Sequence, residues 1–187
     1  MMEIRWHGRG GQGAKTAALL VADAALATGV YVQAFPEYGP ERMGAPVRSF
    51  NRISEDPITI HCAVESPKVV VVLDETLCAS VDVTDGVPND GIIIINTALP
   101  AKNYKDKLKF KGKVYTVNAS KIAMDTIGLN KPNTPMLGAL MRVADIMDFD
   151  KMLQDTTEKL KKKFAAKPEI VEGNVQAIKK AYEEVAE

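Results

Sequence analysis

The sequence predicts a doubly wound, mostly parallel α/β fold, with helices on both faces of the sheet and a helical C-terminus. Three observations predict it. Residues 69–73 (Val-Val-Val-Val-Leu) and 92–95 (four isoleucines) are apolar at every position. A strand needs that only when helices cover both sides of its sheet. Strand-like runs alternate with helical ones along the chain. A first strand leads directly into a helix through the glycine-rich turn Gly8-Arg9-Gly10-Gly11-Gln12-Gly13.

The elements follow in order. Residues 4–7 read as the first strand. Residues 14–28 read as a helix rich in alanine and leucine, with Gly29 placed to end it. Residues 30–35 form a second strand stopped by Pro36. Residues 47–53 are a third strand, and its interleaved Arg48, Ser49, Asn51 and Arg52 predict an edge or partly exposed position. The two apolar runs and residues 113–117 complete the sheet. The lysine-rich segment 102–113 reads as a surface connection. Helices are expected over residues 120–127, 135–147, 149–164 and 168–186.

With 187 residues the chain suits one domain, 1–187, since about 150 residues per domain is usual. Its formal net charge is zero, so no global basic field attracts nucleic acid or an anionic membrane. Its apolar runs fall far short of the ~18 residues of a membrane helix, and its N-terminal residues carry no apolar signal core. Cys62 and Cys78 match no metal spacing and sit beside apolar runs, so both are expected to be buried free thiols. That usage suits a cytoplasmic protein.

The glycine turn has a direct physical meaning. Glycines permit positive φ and remove Cβ atoms that would block a ligand or a neighbouring strand. Amides of the first helical turn then favour an anion above the loop, and Lys15 stands close in sequence to add charge. Gly8-x-Gly10-x-x-Gly13 fits the dinucleotide fingerprint formally, but that fingerprint wants an acid at the end of the second strand, roughly 20 residues on. Glu37 follows a proline there and is in poor register. A P-loop fails as well, because Ala14 separates Gly13 from Lys15 and Thr16. The plainer reading is that the glycines only allow close strand–helix packing.

A second loop, Glu37-Tyr38-Gly39-Pro40-Glu41-Arg42-Met43-Gly44-Ala45-Pro46, leaves the next strand. In a parallel sheet it lies at the same carboxyl edge as the glycine turn, where ligands bind. Arg42 there suits a phosphate or a partner's carboxylate, or else is an exposed arginine on a rigid turn. His7, Asp74, Asn96 and Asn118 end strands on this edge, and Asp74 and Asn118 are suited to capping the helices that follow. His7 beside a glycine turn reads more simply as structural. No nucleophile elbow, paired-carboxylate motif, Cys-x-x-Cys or histidine ligand pair is present, so no catalytic or metal residue is assigned.

Together, Gly8-Arg9-Gly10-Gly11-Gln12-Gly13 and Phe35-Pro36-Glu37-Tyr38-Gly39-Pro40-Glu41-Arg42-Met43-Gly44-Ala45-Pro46-Val47 resemble the gamma subunit of the pyruvate:ferredoxin oxidoreductase (pyruvate synthase) family. The resemblance spans essentially the whole chain, including Asn133-Thr134-Pro135-Met136-Leu137-Gly138. The Pro-Glu-Arg-Met-Gly-Ala-Pro segment is closer to pyruvate and branched-chain 2-oxoacid enzymes than to 2-oxoglutarate ones. The resemblance implies a heteromeric enzyme with alpha, beta and delta-type partners and ferredoxin as acceptor. It implies thiamine diphosphate, Mg and [4Fe-4S] clusters on those partners, and coenzyme A as substrate. It further implies that Gly8, Gly10, Gly11, Gln12, Gly13 and Arg42 contact coenzyme A or the facing subunit. Lys15 is a weaker candidate, since the helix can turn it away. Three readings compete: a branched-chain 2-oxoacid enzyme, a stand-alone nicotinamide- or flavin-binding reductase, and an architectural subunit whose glycine turn touches only another chain.

Overall fold

A computed structural model describes residues 1–37 and 44–187. β1 (Met2–Arg9) is followed by α1 (Ala14–Leu26), β2 (Tyr31–Glu37) and β3 (Pro46–Ser54). Then come β4 (Val69–Val72), α2 (Leu77–Ser80), β5 (Ile92–Asn96), α3 (Ala101–Leu108) and β6 (Lys113–Val117). Four helices close the chain: α4 (Ala119–Ile127), α5 (Pro135–Val143), α6 (Phe149–Lys163) and α7 (Pro168–Glu184).

The six strands form one sheet in the order β2-β3-β1-β4-β5-β6. β1, β4, β5 and β6 pair in parallel. β3 is antiparallel to both β1 and β2, so β2 runs with the other strands and only β3 opposes them. The parallel α/β expectation holds, with this one inversion.

Register divides the core into two layers. Ile4, Trp6, Val69, Val71, Ile94 and Val117 face α1, α4, α5, α6 and α7. Val70, Val72, Ile93, Ile95 and Val114 face the smaller α2 and α3 on the other side. Both apolar runs are therefore buried on both faces, as their sequence requires.

Five sequence expectations need correction, the first being that Pro36 does not stop β2, which runs through it to Glu37. β3 is not at an edge: it lies between β2 and β1, with Arg48 exposed as expected but Ser49, Asn51 and Arg52 buried. Their polar atoms have partners. Asn51 accepts from Trp6 Nε1 at 2.8 Å and donates to the Ala18 carbonyl at 2.7 Å, tying the strand to α1. Arg52 donates to Glu3 (2.7 Å), Gln33 (3.2 Å) and the Ala63 carbonyl (3.0 Å). The segment 102–113 contains α3, whose buried residues Ala101 and Tyr104 are three apart on one face. Cys62 is exposed, while Cys78 is buried as expected. The helix opening at Pro135 ends at Val143 rather than Met147.

Candidate functional site

The carboxyl edge of the sheet gathers the glycine turn, the ends of β2, β4, β5 and β6, and the start of β3. β1 delivers Gly8 into the interior, where an added Cβ would stand 3.3 Å from Leu73 Cδ1. Beyond it the turn closes on itself. Gln12 N–H donates to the Arg9 carbonyl at 3.0 Å, and Arg9 N–H donates to Gln12 Oε1 at 2.7 Å. Gly11 and Gly13 have φ of 94° and 86°, values that side chains disfavour. Gly13 is doubly constrained, since a Cβ there would meet Asn133 Cγ at 2.8 Å.

Gly13 is also the N-cap of α1. Among the described residues no side chain caps that helix, and its first turn holds no acidic residue. The partial positive charge of the helix start is thus not offset by a carboxylate of its own first turn. Lys131, from the α4–α5 connection, donates to the Gly11 carbonyl at 3.3 Å and brings a cation to the rim. Among the described residues, nothing lies within 4 Å of the Cβ position of Gly11.

Gln12 and Gly10 are engaged within the edge. Gln12 Nε2 donates to Asp74 Oδ2 at 2.8 Å, so both ends of its amide hold the turn. Gly10 N–H donates to the Ala45 carbonyl at 3.0 Å and joins the turn to the second loop. Arg9 spans the same junction: it reaches Asp74 at 3.1 Å, the Gly44 carbonyl at 3.1 Å and Thr76 Oγ1 at 2.8 Å. Arg42 lies outside the described residues. Lys15 is exposed on α1.

Other edge residues prove structural. Asn118 caps α4 by accepting from Lys121 N–H at 3.0 Å. Asn96 ties β5 to β4 and α4 through the Leu73 carbonyl (2.9 Å) and the Ser120 amide (3.0 Å). Asp74 accepts from Thr76 N–H at 3.0 Å and joins Arg9 and Gln12.

His7 is 3% exposed and accepts from Arg5 Nε at 2.9 Å, which leaves its proton on Nδ1. Burial first, then the charges of Arg5 and Arg48, push its pKa down to about 3. It is a neutral interior group at physiological pH. Burial raises the Cys78 thiol to about 11. Tyr104 rises to about 12 through burial and its hydrogen bond to Glu75. None of these three is poised for proton transfer or attack near neutral pH. Among the described residues, no group of three His, Cys, Asp or Glu is placed to share a metal ion. Among the same residues, no helix is long and apolar enough to cross a membrane.

Glu37 decides the dinucleotide reading. β3 separates β2 from β1, so the end of β2 stands two strand spacings, about 10 Å, from the glycine turn. The Glu37 carboxylate also accepts from Arg48 Nη2 at 2.8 Å and forms an ion pair with it. An acid displaced and paired in this way does not meet a ribose above the turn.

Residues 3–184 match the family model for pyruvate ferredoxin/flavodoxin oxidoreductase. The chain belongs to this family. It is 48% identical over 183 residues to pyruvate synthase subunit PorC of Thermotoga maritima, covering 98% of this chain and 94% of that one. It is 45% identical over 184 residues to the pyruvate/ketoisovalerate oxidoreductases common subunit gamma of Pyrococcus abyssi, covering 98% and 96%. The crystal structure of pyruvate oxidoreductase subunit PORC from Thermotoga maritima has a similar fold, with a TM-score of 0.86 at 46% identity over 99% of this chain and 97% of that one. The expected family and fold are thus both found, and the chain is a gamma-type subunit of a multi-subunit oxidoreductase.

The residues that sequence reasoning missed are Lys131 and Asn133. They come from a connection 120 residues beyond the turn they contact. The Asn133-Thr134-Pro135 segment was visible as a family feature, but nothing in its local pattern tells that it returns to the glycine turn.

Proposed function

We propose that this chain serves a heteromeric pyruvate:ferredoxin oxidoreductase by holding coenzyme A phosphates at the glycine turn and by shaping the active-site cleft. The whole enzyme converts pyruvate, coenzyme A and two oxidised ferredoxins to acetyl-CoA, CO2, two reduced ferredoxins and a proton. It works in the cytoplasm, with alpha, beta and delta-type subunits. Thiamine diphosphate, Mg and [4Fe-4S] clusters reside on those partners. This chain's two cysteines fall short of the four that one such cluster takes.

The observation that carries the reading is the start of α1, which no described side chain caps, behind a turn of fixed positive-φ glycines, with Lys131 at its rim. Backbone amides at a helix start hold phosphate oxygens without any reacting side chain. That suits an edge where His7 is sealed and Asp74 and Glu37 are already paired. Gly11 and Gly13 shape the turn, Gly10 and Gln12 brace it, Gly8 lets it approach β4, and Arg42 adds a phosphate partner from the second loop.

The test is Arg42→Ala in the assembled complex. Losing one charge-assisted hydrogen bond to phosphate raises the apparent KM for coenzyme A about tenfold. An unchanged KM in an intact complex defeats the assignment and favours the architectural reading. One observation supports a second substrate: the Pyrococcus abyssi relative is named as common to pyruvate and ketoisovalerate enzymes. Assaying both 2-oxoacids with the native complex separates the two cases.

A further inference from the structure

A carboxylate stands beside the proposed anion site, where its charge would oppose a phosphate. Asp74 sits just past the end of β4, at the carboxyl edge next to β1. Its surroundings show what it does instead. Oδ2 accepts from Gln12 Nε2 at 2.8 Å and from Arg9 Nε at 3.1 Å. Oδ1 accepts from Thr76 N–H at 3.0 Å and from Thr76 Oγ1 at 2.6 Å. Four donors thus converge on one side chain, and Arg9 cancels its charge.

We propose that Asp74 is a positioning residue for coenzyme A, acting through Gln12 and Arg9 to fix the glycine turn. This rests on the coenzyme A reading above. The mechanical path is short. Asp74 holds the Gln12 amide nitrogen, and the Gln12 amide oxygen holds Arg9 N–H at 2.7 Å, across the turn whose amides face the ligand. Asp74 also anchors Arg9, whose other nitrogen reaches the Gly44 carbonyl in the second loop. One carboxylate therefore sets both loops at once. Burial alone would raise its pKa, but hydrogen bonds from Thr76 and Gln12 and the Arg9 charge outweigh burial and lower it. The acceptor thus stays ionised at neutral pH. Asparagine replaces it poorly: turned toward Gln12 and Arg9 its NH2 faces two donors, and turned toward Thr76 it faces the Thr76 N–H, with only the rotatable hydroxyl able to accept.

The test compares Asp74→Asn and Gln12→Ala with the unaltered complex, by steady-state kinetics and by amide hydrogen exchange over residues 9–13. Asp74→Asn should raise the KM for coenzyme A about tenfold, leave kcat at saturating coenzyme A within about twofold, and leave the KM for pyruvate unchanged. Exchange over residues 9–13 should quicken about tenfold. Gln12→Ala should shift both in the same direction by less. The double variant should fall well short of the sum of the two, because part of the Asp74 effect is carried by Gln12. Unchanged exchange in Asp74→Asn, or strictly additive effects in the double variant, overturns the positioning role. Faster exchange with an unchanged KM for coenzyme A keeps Asp74 as the brace of the turn and overturns the coenzyme A reading instead. Should Asp74→Asn fail to assemble, Gln12→Ala measured alone decides, since it removes the brace and leaves the Arg9–Asp74 ion pair in place.

Discussion

Strands β4, β5 and β6 bury valine and isoleucine on both faces, whereas β1 and β3 bury Arg5, His7, Ser49, Asn51 and Arg52 beside their apolar residues. The first half is held by area removed from water, which is non-directional and additive in small steps. The second half is held by directed bonds that meet at a few side chains. Arg5 donates to the Val83 and Asp85 carbonyls at 3.2 and 2.7 Å, and Arg52 secures Glu3, Gln33 and Ala63. Apolar packing lets a strand absorb a lost methyl group. A hub leaves several buried polar atoms without partners when one residue is removed.

That contrast is open to attack at three strengths. The largest effect should come from Arg52→Met, which keeps an unbranched apolar stem and removes the guanidinium and its donors. It should cost about 3 kcal/mol in a urea titration, as broken buried ion pairs do. A loss below about 1 kcal/mol would show that the hub is dispensable. Next is the pH dependence set by His7. Its folded pKa is about 3 and its ordinary value 6.5, so between these limits the unfolded chain binds a proton that the folded chain refuses. The stability contributed by His7 is therefore complete above pH 6.5 and falls as pH drops toward 3. At pH 5 the deficit is on the order of 2 kcal/mol. His7→Gln, whose oxygen can still accept from Arg5, should flatten this acid limb; an unaltered slope would contradict the sealed, neutral histidine. The smallest effect belongs to the apolar half: Ile94→Val should cost about 1 kcal/mol.

The same division explains how much the sequence revealed. Residues 69–73 and 92–95 announced their strands because non-directional burial leaves a continuous apolar run. The turn at Gly8–Gly13 was legible because positive φ and close approach demand glycine. β3 misled because polar residues at 48, 49, 51 and 52 make a strand look solvated, and only the fold supplies Trp6, Ala18 and Glu3 as partners for Asn51 and Arg52. α3 was missed because two inward residues among lysines make too weak a helical signal. At the site, the family wording pointed to the two loops. The braces at Asp74 and Lys131 join segments 62 and 120 residues from the turn, a separation that no local pattern encodes.

The hub at Arg5 has a consequence in time. Its acceptors lie 78 and 80 residues farther along the chain. During synthesis β1 emerges ahead of these acceptors, so its buried guanidinium lacks both carbonyls until residues 83 and 85 have left the ribosome. At the other end, the Ala186 backbone bridges to Thr116 of β6. The first strand waits for the middle of the chain to be made, and the last strand is closed by a residue near its end.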